Sequence, residues 1–137
     1  MSHSRQAFGR WGESLAAEYL VERGYTILER NVRTPYGEID LVACQDEELS
    51  SFEAVVGERQ KGFATIFVEV KTRSSRSFGL PEEAVTSRKQ AHMLAAAQAY
   101  LQQHPELEGS WRIDVIAIQR YDPSRPPTIL HFENAIS

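Results

Sequence analysis

Gly37-Glu38-Ile39-Asp40-Leu41 and Ile66-Phe67-Val68-Glu69-Val70-Lys71 decide how this chain is read. Both alternate apolar and polar side chains, which is the period of a β-strand. The alternation predicts that Ile39 and Leu41 share one face and that Glu38 and Asp40 share the other. By the same count, Ile66, Val68 and Val70 face away from Phe67, Glu69 and Lys71. If the strands pair, three carboxylates and one ammonium meet on one face of a sheet. Clustered carboxylates repel and raise one another's pKa where water is scarce. A divalent cation removes that cost, and hard oxygen ligands are what Mg²⁺ or Mn²⁺ selects. The pattern predicts a metal-dependent site for phosphate chemistry. The plainer alternative is a salt-bridged polar face, with Lys71 paired to Glu69 and Asp40.

Working outward, residues 5–23 form an amphipathic helix with Phe8, Leu15, Ala16, Tyr19 and Leu20 apolar, closed by Gly24. Counting three, four and seven residues on from Glu13 gives Ala16, Ala17 and Leu20, so this carboxylate is expected on the inward face. Residues 25–32 form a first strand, Thr34-Pro35-Tyr36-Gly37 a turn, and residues 38–43 a second strand. Residues 44–63 lack a sustained period and are expected to form a long, mobile, acidic loop, with a helical turn near residues 52–56. Residues 65–71 form the third strand and 72–80 a polar loop, and Pro81 suits the first turn of a helix. A second helix over 84–103 buries Met93, Leu94, Ala97, Tyr100 and Leu101. A strand at 111–118, a Pro-rich connector at 122–127 and a short strand at 129–132 complete the chain. The fold class is α/β, an αβββαβ core whose mixed sheet is flanked by helices. The helix between the third and fourth strands carries the crossover to a parallel neighbour.

The chain has 137 residues, 42% of them hydrophobic and 25% charged, the range of an ordinary globular domain. One domain over residues 1–137 is expected. No apolar run approaches the roughly 20 residues of a membrane span, and the start lacks a signal-peptide core, so no membrane association and a cytoplasmic location are expected. Cys44 is the single cysteine, which excludes an intramolecular disulfide and a thiolate metal cage. The net charge of −4 is unevenly spread. Asp46, Glu47, Glu48, Glu53 and Glu58 crowd the 44–62 stretch, whereas Lys71, Arg73, Arg76, Arg88 and Lys89 make residues 71–89 basic. The basic stretch suits phosphates, and the acidic one is expected to project away from them.

Taken together, Gly9-Arg10-Trp11-Gly12-Glu13, Tyr36-Gly37-Glu38-Ile39-Asp40-Leu41-Val42, Phe67-Val68-Glu69-Val70-Lys71-Thr72-Arg73 and Asn134-Ala135-Ile136 resemble the small YraN-type family of predicted endonucleases. That family belongs to the PD-(D/E)XK nuclease superfamily and is related to Holliday-junction resolvases. The likeness covers the chain outside residues 44–63. It implies a restriction-endonuclease-like core and a Mg²⁺- or Mn²⁺-dependent endonuclease, a hydrolase acting on DNA, on branched or single-stranded substrates in recombination or repair. It implies Glu13, Asp40, Glu69 and Lys71 as the catalytic set. Asp40 and Glu69 would hold the metal, with the Val70 carbonyl and Glu13 as further oxygen donors. Lys71, beside two carboxylates, is expected to stay protonated and to act electrostatically.

Thr72, Arg73, Arg76, Lys89 and Gln90 are candidate phosphate contacts. Glu38 and Asp114 are candidate outer groups, each with an ordinary structural reading beside the functional one. His3, His92, His104 and His131 share no metal-ligand spacing and are expected at the surface or the core edge. A two-fold homodimer would set two sites on one substrate. A non-catalytic nucleic-acid-binding or interaction module on the same fold is the competing function.

Overall fold

The computed structural model describes residues 2–47, 62–74 and 86–136. Helix α1 spans Ser2–Glu22, strands β1, β2 and β3 span Thr26–Thr34, Gly37–Glu47 and Gly62–Arg73, and helix α2 spans Ser87–Gln103. A short 3₁₀ turn at Pro105–Leu107 leads into β4, Ser110–Gln119, and β5, Thr128–Ile136. The sheet order is β1-β2-β3-β4-β5. The β3–β4 pair is parallel and the other three are antiparallel. This is the mixed αβββαβ sheet that the sequence predicts, with α1 and α2 packed on opposite faces. The 48–61 stretch, the helical turn expected near 52–56, and Arg76 and Pro81 lie outside the described residues.

Local chemistry explains the element ends. Tyr25 N–H bonds to Leu20 O and Gly24 N–H to Val21 O, while Gly24 takes φ +90°. These paired bonds close the last turn of α1 on a left-handed residue, which glycine adopts without steric cost. Thr86 caps α2, its hydroxyl accepting from Lys89 N–H at 3.2 Å. The turn into β2 is tied by Thr34 Oγ1, which donates to Gly37 O at 2.7 Å and accepts from Tyr36 N–H at 3.1 Å.

Three expectations need correction. Residues 44–47 and 62–63 are strand rather than loop, because the β2–β3 ladder continues through Cys44↔Thr65 to Glu47↔Gly62. The acidic side chains hid the alternation there. Likewise, β5 runs past residue 132 to Ile136 by absorbing a register shift opposite β4.

The third correction concerns the decisive strand. Leu41 packs with Ile66 and Val68 under Ala16, Ala17 and Leu20 of α1. Ile39 instead joins Val32, Val42 and Phe67 beside Ala96, Ala97 and Tyr100 of α2. The expected shared face of Ile39 and Leu41 is therefore broken at Asp40. The β2–β3 pairing stops at Leu41↔Val68, whereas β1–β2 continues to Thr34↔Gly37. The first hairpin thus peels away from β3 and leaves a fork between β2 and β3.

Helix α1 crosses β3 closely at Gly12, where a Cβ atom would run into the Thr72 methyl and approach Ile118. In an open helix, replacing glycine by alanine gains up to about 1 kcal/mol. Here the overlap should reverse the sign, and Gly12→Ala should lose roughly 1–3 kcal/mol in urea unfolding. Thr72→Ser removes the obstructing methyl and should recover much of the loss. A Gly12→Ala protein more stable than the parent would refute this close approach.

Candidate functional site

Asp40 sits at the fork. Its Oδ2 accepts the Val70 N–H at 2.8 Å. Continued antiparallel pairing would give that donor to the backbone of β2, so a side-chain oxygen replaces the missing strand partner. Val70 itself turns its side chain into the α1-side core. The Asp40 carboxyl also lies within hydrogen-bonding reach of Glu69.

Glu69 is 9% exposed. Its Oε1 lies 3.1 Å from Lys71 Nζ and 3.1 Å from Lys89 Nζ. Lys71 comes from the same strand two residues on, and Lys89 comes from the first turn of α2. Lys89 was expected only as a phosphate contact, yet it stands at the centre. Glu13 reaches the cluster from α1, as its helical spacing predicts, and is partly buried. Glu38 is exposed and is linked to Glu13 through Asn31. The amide of Asn31, turned to donate, lies 3.1 Å from Glu13 Oε2 and 3.1 Å from Glu38 Oε1.

Burial, followed by the charge of Glu69, pushes the Asp40 carboxyl up to about 8. Burial also raises Glu13, with Glu38 and Glu69 adding to the shift against the Asn31 hydrogen bond. Burial moves Lys71 down from the ordinary lysine range, and the neighbouring Lys89 adds to this against the pull of Glu69. Burial opposes the charge on Lys89 too, but the contact with Lys71 and the charges of Glu69 and Asp40 hold its ammonium above that range. Lys71 is therefore the first of the pair to give up a proton. The carboxylates alone predicted the opposite direction for Lys71; burial and a second lysine outweigh them.

A cleft of about 460 Å³ opens over the cluster, lined by Tyr36, Glu38, Asp40, Glu69, Arg88 and Lys89 among others. Thr86, the cap of α2, is also on its wall, so the helix N-terminus faces this space. Tyr36 is 53% exposed at the rim. Thr72 packs against Gly12. The Arg73 carbonyl accepts from Arg120 N–H at 2.9 Å, and Gln90 donates its N–H to Thr86 O at 2.8 Å.

Asp114 has another role. It is fully buried, accepting from Arg112 Nε at 3.0 Å and Asn134 N–H at 2.9 Å, with His131 Nε2 at 2.7 Å. Burial opposes its ionisation, yet bonds from His131, Arg112 and Asn134 hold its carboxyl below the usual range. An ionised carboxylate only accepts, so a neutral His131 carries its proton on Nε2, and Nδ1 accepts from the Tyr19 hydroxyl at 3.2 Å. None of these partners belongs to the Asp40–Glu69 cluster, so Asp114 ties β4 and β5 together and is not an outer group of the fork. His131 sits at the core edge, with side-chain exposure of 8%. His92 lines the cleft, and His104 stacks on Tyr100. His131 lies 17 residues from Asp114 on an antiparallel neighbour, a separation no local spacing rule detects. Asn31 did leave a signal, since asparagine is disfavoured inside strands and marks a break.

A family model described as an uncharacterised protein family, UPF0102, matches residues 12–118. The chain belongs to UPF0102. The match takes in Glu13, Asn31, Asp40, Glu69, Lys71 and Lys89 but stops short of β5 and His131. A UPF0102 protein of Dehalococcoides mccartyi is 37% identical over 99% of this chain and 98% of its own length. One from Trichlorobacter lovleyi is 45% identical over 95% and 90%, and one from Syntrophomonas wolfei 46% identical over 80% and 82%. No helix among the described residues is long and apolar enough to cross a membrane.

The strain at Asp40 has a sign that a melt can read. Unfolded, its carboxyl ionises near 3.8; folded, it is held to about 8. Between those values the folded state keeps a proton that the unfolded state has released, so stability falls as pH rises through the window. Asp40→Asn removes the slope and keeps an oxygen for Val70 N–H. In EDTA it should melt roughly 3–10 °C above the parent at pH 8 and no higher at pH 4. A parent that melts at or above the variant at pH 8 would contradict the crowding. Asp114→Ala, by contrast, deletes the fully buried acceptor shared by Arg112, His131 and Asn134 N–H and should cost roughly 1–3 kcal/mol in urea unfolding.

Proposed function

We propose that the fork is the active centre of a Mg²⁺- or Mn²⁺-dependent endonuclease that hydrolyses DNA phosphodiester bonds, within the PD-(D/E)XK superfamily, in recombination or repair. One observation carries the reading: the Asp40 and Glu69 carboxyls are buried against each other, with two lysines beside them and an open cleft above. Adjoining buried carboxyls strain a domain unless a cation neutralises them. Among the described residues no three acidic, imidazole or thiol groups are already gathered at ligand spacing. That still suits Mg²⁺, which is commonly held by one or two carboxylates and keeps its waters. Asp40 and Glu69 would hold the ion, with Glu13 and the Val70 carbonyl as further oxygen donors.

When bound, such an ion supplies Lewis-acid charge to a phosphoryl oxygen and lowers the pKa of water. The protein's own groups divide the rest. Lys89 keeps its proton and provides fixed positive charge for the phosphate and for the charge that builds in the transition state. Lys71, its pKa lowered by burial, donates a hydrogen bond to the phosphoryl group or, at higher pH, accepts a proton from water. Arg88 and the N-terminus of α2 offer a second phosphate position. Thr72, Arg73 and Gln90 remain candidate contacts at the edges. The exposed Tyr36 ring gives an unpaired base a surface to stack on, which favours branched or single-stranded substrates.

A second reading draws on the same ion pairs. Glu69 already contacts two ammoniums, so the cluster also suits a non-catalytic nucleic-acid-binding module with a closed salt-bridge network. Mn²⁺ titration separates the two. The parent should bind Mn²⁺, and Glu69→Gln should weaken that binding roughly 100-fold or more, since it removes one of the two principal charged ligands. A parent without Mn²⁺ affinity favours the module. In a screen over linear, flapped and four-way-junction DNA, Lys71→Ala should reduce cleavage on the order of 10²–10³-fold, with Mn²⁺ affinity unchanged or higher. Parental cleavage rates in that variant would remove Lys71 from the mechanism.

A further inference from the structure

Asn31 lies inside β1 with φ +53°. Left-handed backbone is costly for most side chains, and asparagine is one of the few that tolerate it. The local break is matched across the hairpin. Leu41, opposite Arg30, packs under α1, whereas Val32 and Ile39, opposite each other, pack under α2. Asn31 therefore stands where the hairpin changes face, beside the fork.

Its amide lies between two like charges. With its NH₂ group facing them, the nitrogen is 3.1 Å from Glu13 Oε2 and 3.1 Å from Glu38 Oε1. Glu13 belongs to a helix on one side of the sheet and Glu38 to the hairpin. Glu13 also feels the charge of Glu69. Repulsion from both neighbours drives the Glu13 carboxylate outward, and a neutral group that donates to both carboxylates opposes it. A role confined to the backbone would be met at least as well by glycine, which offers no donor.

We infer that Asn31 is a positioning residue: its amide bridges Glu13 and Glu38 and holds the helix carboxylate toward the Asp40–Glu69 cluster. What that positioning serves rests on the hydrolytic reading above, whereas the bridge does not.

A four-protein cycle tests it: parent, Asn31→Gly, Glu38→Gln and the double variant. Asn31→Gly keeps the backbone conformation and deletes the donor, leaving Glu13 and Glu38 to repel each other. Thermal melts at pH 8 in EDTA should show Asn31→Gly roughly 2–5 °C below the parent. Glu38→Gln should raise melting in the glycine background and change it little in the parent background. In cleavage assays with Mn²⁺, Asn31→Gly should lower kcat about 10-fold, the usual scale for a group that orients a ligand, with KM for DNA within about twofold. The double variant should recover part of that loss. A general structural defect would give neither the rescue nor the split between kcat and KM.

Additive melts in the cycle would overturn the bridge, whatever the activity. Non-additive melts with parental kcat in Asn31→Gly would overturn the positioning role. A parent that cleaves nothing yet shows the non-additivity would sink the hydrolytic reading and leave the bridge standing. Should Asn31→Gly fail to fold, Asn31→Asp, which tolerates the same backbone and cannot donate when ionised, enters the cycle with the same expected signs.

Discussion

The hydrogen bond from Val70 N–H to Asp40 Oδ2 organises the rest of the structure. A strand that loses its neighbour exposes a row of unsatisfied backbone groups, and a buried unsatisfied donor costs about 1–3 kcal/mol. By supplying a side-chain acceptor, Asp40 lets β2 leave β3 without that penalty. The departure opens the cleft, turns Ile39 toward α2 and leaves Glu69 on the cleft wall. The same aspartate is thereby buried against Glu69, and its proton is held well above the usual carboxylate range. One residue creates both the opening and the electrostatic strain inside it.

That strain decides how the two lysines should be viewed. A single ammonium on Glu69 would be an ordinary ion pair. Two ammoniums on one oxygen cannot both be at ease, and the more buried one yields. The consequence is a site with a permanent cation, Lys89, beside a more readily deprotonated amine, Lys71. Neutralising neighbouring carboxylates with a divalent ion would lower the proton affinity of Lys71 further, since it removes the charge that favours the ammonium.

How much of this was legible in the sequence follows the physics of each element. Strict alternation in Ile66–Lys71 fixed the faces of β3, because both sides of that central strand are buried and a slip would expose a whole apolar row. The same rule failed one strand away. Alternation in Gly37–Leu41 assumes a continuous ladder, and the ladder ends at Leu41. Glu13 was found because helical spacing tied it to Ala16, Ala17 and Leu20. Lys89 was undervalued because its place depends on where a crossover helix begins. His131 depends on the register of two antiparallel strands, which periodicity does not encode. The extension of β2 and β3 through residues 44–47 and 62–63 was masked by charged and small residues whose neighbours supply the pairing.

Asn31 and Asn134 are the non-glycine residues with positive φ among those described, and they lie on β1 and β5, the two outermost strands of the sheet. An exposed strand edge is a template for another chain, and a flat, regular edge invites growth of the sheet into aggregates. A left-handed residue interrupts the row of outward-facing donors and acceptors and bends the strand away from such pairing. On β1 the exposed Glu29, Arg30 and Arg33 add charge to that interruption. The irregularity that aims an amide at two carboxylates thus also keeps the outer strand from recruiting a copy of itself, and any two-fold assembly must be built on a surface other than a continuous ladder through the middle of β1.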